Sequence, residues 1–171
     1  MSLFQSASLT FRAAFKAADL RGKGVLFLAV WFGAGLLPKA PGTFGTLFAV
    51  PLVFLMNVVE PVLGGLFLLI FMAVAIRISD QAQKWLGDKD PPEVVIDEAA
   101  GFLLTMFLLP QSWPCLFFGF IFFRFFDISK PYPIKRLEKI KGGLGIVLDD
   151  LLAGVYANLA VRIVLFSMST L

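Results

Sequence analysis

The sequence contains no histidine and a single cysteine among its 171 residues. Without histidine there is no imidazole base, no phosphohistidine intermediate and none of the imidazole-based metal sites. One cysteine, Cys115, excludes an internal disulfide and a multi-cysteine metal site. Its apolar surroundings, Trp-Pro-Cys-Leu-Phe-Phe, read as core packing rather than as a phosphate loop. Charge is scarce too: 16% of residues are charged, against about 25% in soluble domains. The net charge of +3 comes without a long basic run, a finger motif or a basic-aromatic stripe. That balance excludes a nucleic-acid partner and suits an anionic lipid surface.

What is abundant is apolar. The chain is 58% hydrophobic with 20 phenylalanines, and its mean hydropathy is +0.86. This is the composition of a membrane protein, and the length fits one domain. Residues 1–24 lack the layout of a secretory leader because charges interrupt their apolar positions. They predict an amphipathic segment lying on the membrane.

The apolar runs are Val25–Leu37, Thr46–Val59, Val62–Ile76, Ala99–Leu109, Cys115–Phe126 and Leu151–Met168. Most fall short of the ~20 residues needed to cross ~30 Å of hydrocarbon, and only the last approaches that length alone. The second and third runs meet at Glu60-Pro61, the fourth and fifth at Pro110–Pro114, so two helical hairpins are expected. The arms of the second hairpin, 11 and 12 residues long, reach only about 17 Å at the helical rise. A re-entrant or protein-buried pair is predicted there.

Five of the 15 Lys/Arg residues lie in 12–39, three in 77–89 and five in 130–141, whereas the hairpin tips carry none. By the positive-inside tendency these segments share the cytoplasmic face. Val25–Leu37, basic on both flanks, is expected not to cross. The predicted fold is all-α: a membrane-embedded helical bundle with short, partly re-entrant hairpins, closed by a C-terminal transmembrane helix over 151–168.

That topology gathers acids. Asp97 and Glu98 open one apolar helix, Asp149 and Asp150 precede another, and Asp127 ends a third segment. Gly101 and Thr105 follow Asp97 at i+4 and i+8, and Gly154 and Asn158 follow Asp150 likewise, which gives each helix a narrow stripe for close packing. Helix capping accounts for single acids but not for doublets at two helix starts. Five carboxylates on one face call for a cation, and Mg²⁺, which prefers oxygen ligands and tolerates waters and phosphate, meets that need. Arg124 and Lys130 are then candidate phosphate binders; snorkelling to headgroups is the alternative, and for Lys39 it is the favoured one. Pro131 is expected to hold Lys130 extended. The glycine turns at 41–45 and 142–145 could offer backbone N–H groups to phosphate, although neither is a P-loop. With cysteine and histidine nucleophiles eliminated, metal-activated water with a carboxylate base remains.

Four stretches, GAGLLPKAPGTFGTL (33–47), VIDEAAG (95–101), FRFFDISKPYPI (123–134) and GGLGIVLDDLLAGV (142–155), resemble the motifs of the phosphatidylglycerophosphatase A family and stand in the same order. The resemblance implies a Mg²⁺-dependent lipid phosphatase of the bacterial cytoplasmic membrane. Its substrate would be the phospholipid phosphatidylglycerophosphate, its product phosphatidylglycerol, and its site would face the cytoplasm. Asp97, Glu98, Asp127, Asp149 and Asp150 become candidate metal and base residues, and Thr43, Arg124 and Lys130 candidate phosphate binders. No feature calls for a protein partner. Two other readings stand beside this one. A CDP-alcohol phosphotransferase would also use membrane aspartates, but its Asp-Gly-x-x-Ala-Arg run is missing. An ion or proton transporter would carry its acids deep in the spans rather than at helix ends.

Overall fold

A computed structural model describes residues 3–137 and 139–169, and among them there are helices and no strand. Of the amphipathic segment expected over 1–24, residues 1 and 2 lie outside the described residues. Helix α1 covers Leu3–Ala17 and α2 covers Leu20–Ala29. Asp19 caps α2 by accepting a 2.8 Å hydrogen bond from the Gly22 N–H. The apolar run that follows, expected not to cross, is not one continuous helix. Trp31 and Phe32 adopt φ of 45° and 57° and Gly33 100°, which breaks the run into a 3₁₀ turn, Trp31–Leu36.

Helix α3, Pro41–Phe48, and α4, Val50–Val58, are joined at a kink where Pro51 withholds its N–H. Together they form an 18-residue apolar span. Helix α5, Pro61–Leu86, is 26 residues long and stops where Gly87, at φ 72°, donates its N–H to Gln83 O. The run Val62–Ile76 therefore understates the helix. Arg77, Asp80 and Lys84 end the apolar stretch but not the backbone ladder, because all three are compatible with helix and emerge at the polar end. Alone, α5 is long enough to cross.

Helix α6, Ile96–Met106, is short and buried on nearly every side, and α7 follows as Trp113–Ser129. The expected protein-buried arm is thus α6, whereas α7 is 17 residues long and faces outward through Phe117, Ile121 and Phe125. A single turn, α8 (Ile134–Leu137), leads to α9, Gly143–Ser169. Helix α9 begins eight residues before the apolar run Leu151–Met168. Asp149 and Asp150 are consequently not at its entrance but well inside it, where no free N–H needs a cap.

Helix α9 is the hub, packing on α5, α6, α7 and α8. At the α6–α9 crossing, a Cβ on Gly101 would lie 2.6 Å from Asp150 O, and one on Gly154 would collide with Gly101 O. Only glycine allows these backbones to approach so closely. Further along, Asn158 Nδ2 donates to Thr105 O at 2.7 Å and to Phe107 O at 2.9 Å. Arg162 Nη2 donates to Leu108 O at 3.1 Å. The carbonyls at the α6 C-terminus, which end inside an apolar bundle, thereby find donors that lipid could not supply.

The basic segments share one end. The ring of Trp85 lies against Gly22, and the Gly143 N–H donates to Asp80 Oδ1 at 3.3 Å. Lys130 meets Asp149 there as well.

Candidate active site

The site forms where the N-terminus of α6 is wedged in place. The Val95 N–H donates to Ala29 O at 2.9 Å, while Gly35 packs on Glu93 O and Gly45 on Val95. Ile96 begins the helix, so Asp97 and Glu98 fall in its first turn, where the helix dipole favours negative charge. Asp97 Oδ1 accepts from the Glu98 N–H at 3.1 Å. The glycine crossing then brings Asp150 alongside, and carboxylate oxygens of Asp97, Glu98 and Asp150 lie within 4.8 Å of one another.

The other two predicted acids stand around this trio, each holding a cation. Arg124 Nη1 donates to Asp127 Oδ2 at 2.5 Å, one turn along α7. Lys130 Nζ donates to Asp149 Oδ2 at 2.7 Å. Both pairs are largely shielded from solvent, which strengthens them relative to surface pairs. Asp127 ends α7, where the dipole disfavours a carboxylate, and Arg124 offsets that cost. Lys130 does not extend ahead of Pro131 as expected. It takes φ 42° and caps α7 by donating its N–H to Phe126 O, which turns the chain toward α8.

Thr43 is half-buried in the first turn of α3, next to Gly42. A Cβ on Gly42 would collide with Glu98 Oε1 and lie 3.0 Å from Arg124 Nη1. Helix α3 therefore points its N-terminus at the Glu98–Arg124 edge of the site. Lys39 is exposed in the preceding turn. The glycines at 142–145 do not form a free phosphate loop: Gly143 and Gly145 lie in the first turn of α9, and Gly142, at φ 82°, precedes it.

The charge balance of this cluster is lopsided. Five carboxylates face two cations, and Glu98 Oε2 and Asp149 Oδ1 are buried without a hydrogen-bond partner. Burial, with Asp127 adding repulsion and Arg124 opposing it, pushes Glu98 up to about 7. Burial and the neighbouring Glu98 push Asp97 well above the usual carboxylate range. An all-oxygen donor set with orphaned, buried oxygens suits a hard divalent cation, which would relieve the repulsion. Sequence reasoning named Gly42 only as part of the turn at 41–45 and gave Asp90 no role. Asp90 joins Asp149, Lys89, Lys139 and Lys141 around a cavity of about 360 Å³ beside the site. The Pro-Gly turn ahead of Thr43 was a visible signal for the first; the two prolines directly after Asp90 argued against a nucleophile at the second.

These features define an all-helical membrane enzyme with a carboxylate site at the basic end of its bundle. The phosphatidylglycerophosphatase A family model matches residues 27–165, and the chain belongs to that family. It is 38% identical over 130 residues to phosphatidylglycerophosphatase A of Escherichia coli K12, covering 75% of this chain and 76% of the relative. It is equally 38% identical over 141 residues to the Haemophilus influenzae protein of the same name, covering 78% and 84%. A Bacteroides thetaiotaomicron protein, provisionally named a phosphatidylinositol-3-phosphatase, is 31% identical over 147 residues, covering 81% and 91%. No solved structure matches the chain at a significant level.

Proposed function

We propose that the protein hydrolyses the terminal phosphate of phosphatidylglycerophosphate to give phosphatidylglycerol and inorganic phosphate. It would act in the bacterial cytoplasmic membrane, with Mg²⁺ as cofactor and the site on the cytoplasmic side. The observation that carries this reading is the convergence of Asp97, Glu98 and Asp150 within 4.8 Å, flanked by Arg124 and Lys130. The two curated relatives named for this reaction support the substrate, and the basic end of the bundle supports the orientation. Membership in the family favours hydrolysis over the phosphotransferase and transporter alternatives.

Asp97, Glu98 and Asp150 would hold the cation, with Asp127 and Asp149 placed to orient cations and water. When bound, Mg²⁺ supplies charge neutralisation at phosphate and a lowered water pKa. Arg124 and Lys130 can exchange part of their carboxylate contact for phosphoryl oxygens, and the Thr43 hydroxyl can donate to a third. Water attacks phosphorus and the bond from phosphorus to the glycerol oxygen breaks, while a carboxylate of the cluster takes the proton from water and passes it to the departing glycerol oxygen. Burial of Asp97 and Asp150, with Glu98 half-buried beside them, keeps bulk water from screening these charges.

Purified protein in neutral micelles should release phosphate from phosphatidylglycerophosphate with Mg²⁺ and stop when a chelator is added. No release under either condition would sink the reading. Phosphatidylinositol-3-phosphate belongs in the same panel because of the Bacteroides relative. Faster turnover on that lipid would reassign the headgroup while leaving the reaction class intact.

A further inference from the structure

Beside the site lies a groove of about 310 Å³ lined by Lys130, Tyr132, Pro133, Lys135, Arg136 and Lys139. These described residues bring four cations and no carboxylate. The groove is continuous with the site in two ways. Lys130 reaches from its wall to Asp149 at 2.7 Å, and Lys139 lines both this groove and the cavity that contains Asp149. The segment is also held in place. Tyr156 of α9 donates its hydroxyl to Tyr132 O at 3.3 Å, and Phe126 packs edge-on against the Tyr156 ring. The Arg136 guanidinium sits 4.7 Å over the Tyr132 ring, with Nη1 donating to the Tyr132 hydroxyl at 3.1 Å. Stacking fixes the plane of the guanidinium fork, which matches two oxygens of a phosphate.

We infer that this groove binds the phosphodiester of the lipid substrate and so selects a headgroup carrying two phosphates over a lipid with a single monoester. The inference rests on the phosphatase reading above. A phosphatidylglycerophosphate headgroup has its monoester and its diester joined by a three-carbon bridge. With the monoester at the carboxylate trio, the diester needs a second anion site nearby and at the membrane surface. A groove reached through Lys130 provides one. General attraction of basic residues to anionic lipid would act on every acidic lipid alike; a built diester site acts only on lipids that carry a diester beside the monoester.

Two measurements on the full-length protein test this. The first is the ratio of kcat/KM for phosphatidylglycerophosphate to that for phosphatidate, a monoester lipid without the diester. In K135Q/R136Q/K139Q the ratio should fall about tenfold, the effect of losing one or two charged hydrogen bonds. In R12Q/R21Q, which removes exposed charges from α1 and α2, it should hold at the wild-type value. An unchanged ratio in the groove variant, or an equal loss on both lipids, overturns the inference. The second is calorimetric binding of short-chain phosphatidylglycerol, which carries only the diester, in a neutral detergent. Binding should weaken about tenfold in the groove variant, and equal binding overturns the inference. If wild-type protein releases phosphate from neither lipid, the phosphatase reading fails and the binding measurement alone decides the groove. Arg136→Gln alone replaces the triple variant if the latter melts below the wild type.

Discussion

At the scale of single residues, Gly42 shows how closely the site is fitted. The atoms a new Cβ would meet are the ends of two flexible side chains, Glu98 and Arg124, not backbone. Gly42→Ala should therefore fold normally yet displace the Glu98 carboxylate, lowering kcat about 100-fold with little change in melting temperature. Near-normal turnover would mean that Glu98 is not held where it acts. Glu98 also makes a prediction about pH. Its carboxyl rises from 4.5 to about 7 on folding, so the folded state binds the extra proton between those values. Its stabilising contribution is present below about pH 4.5 and is lost as pH rises through about 7. Chelated protein should thus show a falling melting temperature between about pH 5 and 8, and Mg²⁺ should blunt that fall. A flat profile with chelator would contradict the crowding of acids. The acid doublets were legible in the sequence because charge is conspicuous in apolar surroundings. The role of Gly42 was not, since it depends on a neighbour 56 residues away.

At the scale of elements, α6 is a half-length helix whose two ends have different supports. Its N-terminus carries the acids, and its C-terminal carbonyls rest on Asn158 and Arg162 of α9. The stripes Asp97–Gly101–Thr105 and Asp150–Gly154–Asn158, visible as i+4 spacings, turn out to face each other. Gly154→Ala would drive a methyl into Gly101 O, a backbone atom that cannot swing aside. A destabilisation of about 1–3 kcal/mol is expected, read as a lower midpoint in thermal or denaturant unfolding. Wild-type stability would mean that the helices do not cross there. Asn158→Ala should weaken the fold comparably by removing the side-chain donor of Thr105 O and leaving Phe107 O only the longer 3.5 Å contact from Arg162 Nη2. Element lengths were less legible. Apolar runs mark where lipid or core begins and ends, whereas helices end where the backbone is stopped. Thus α5 runs on past Arg77 to Leu86, and α9 starts at Gly143 rather than at Leu151.

At the scale of the whole molecule, the long α5 and α9 and the kinked α3–α4 pair form a frame that can cross a membrane. The short α6 is suspended inside it and carries the acids to the basic end. Positive-inside counting and the pairing of short runs made this arrangement legible; contacts between segments distant in sequence, such as Lys130 with Asp149, were not. Cys115 is buried, so introduced cysteines can report topology without background labelling. In cells, Lys139→Cys should react with an impermeant maleimide only after the membrane is opened, whereas Glu60→Cys at the α4–α5 tip should react from outside. The reverse pattern would invert the orientation. The central claim is that Asp97, Glu98 and Asp150 together form the reaction centre, and the turnover of Asp150→Asn on phosphatidylglycerophosphate tests it most directly. Asp150 lies among Asp127, Asp97, Glu98 and Asp149, so its neutralisation removes repulsion and should leave the melting temperature at or above the wild-type value. The kcat should fall by at least about 100-fold, and turnover within a few-fold of wild type would contradict the claim.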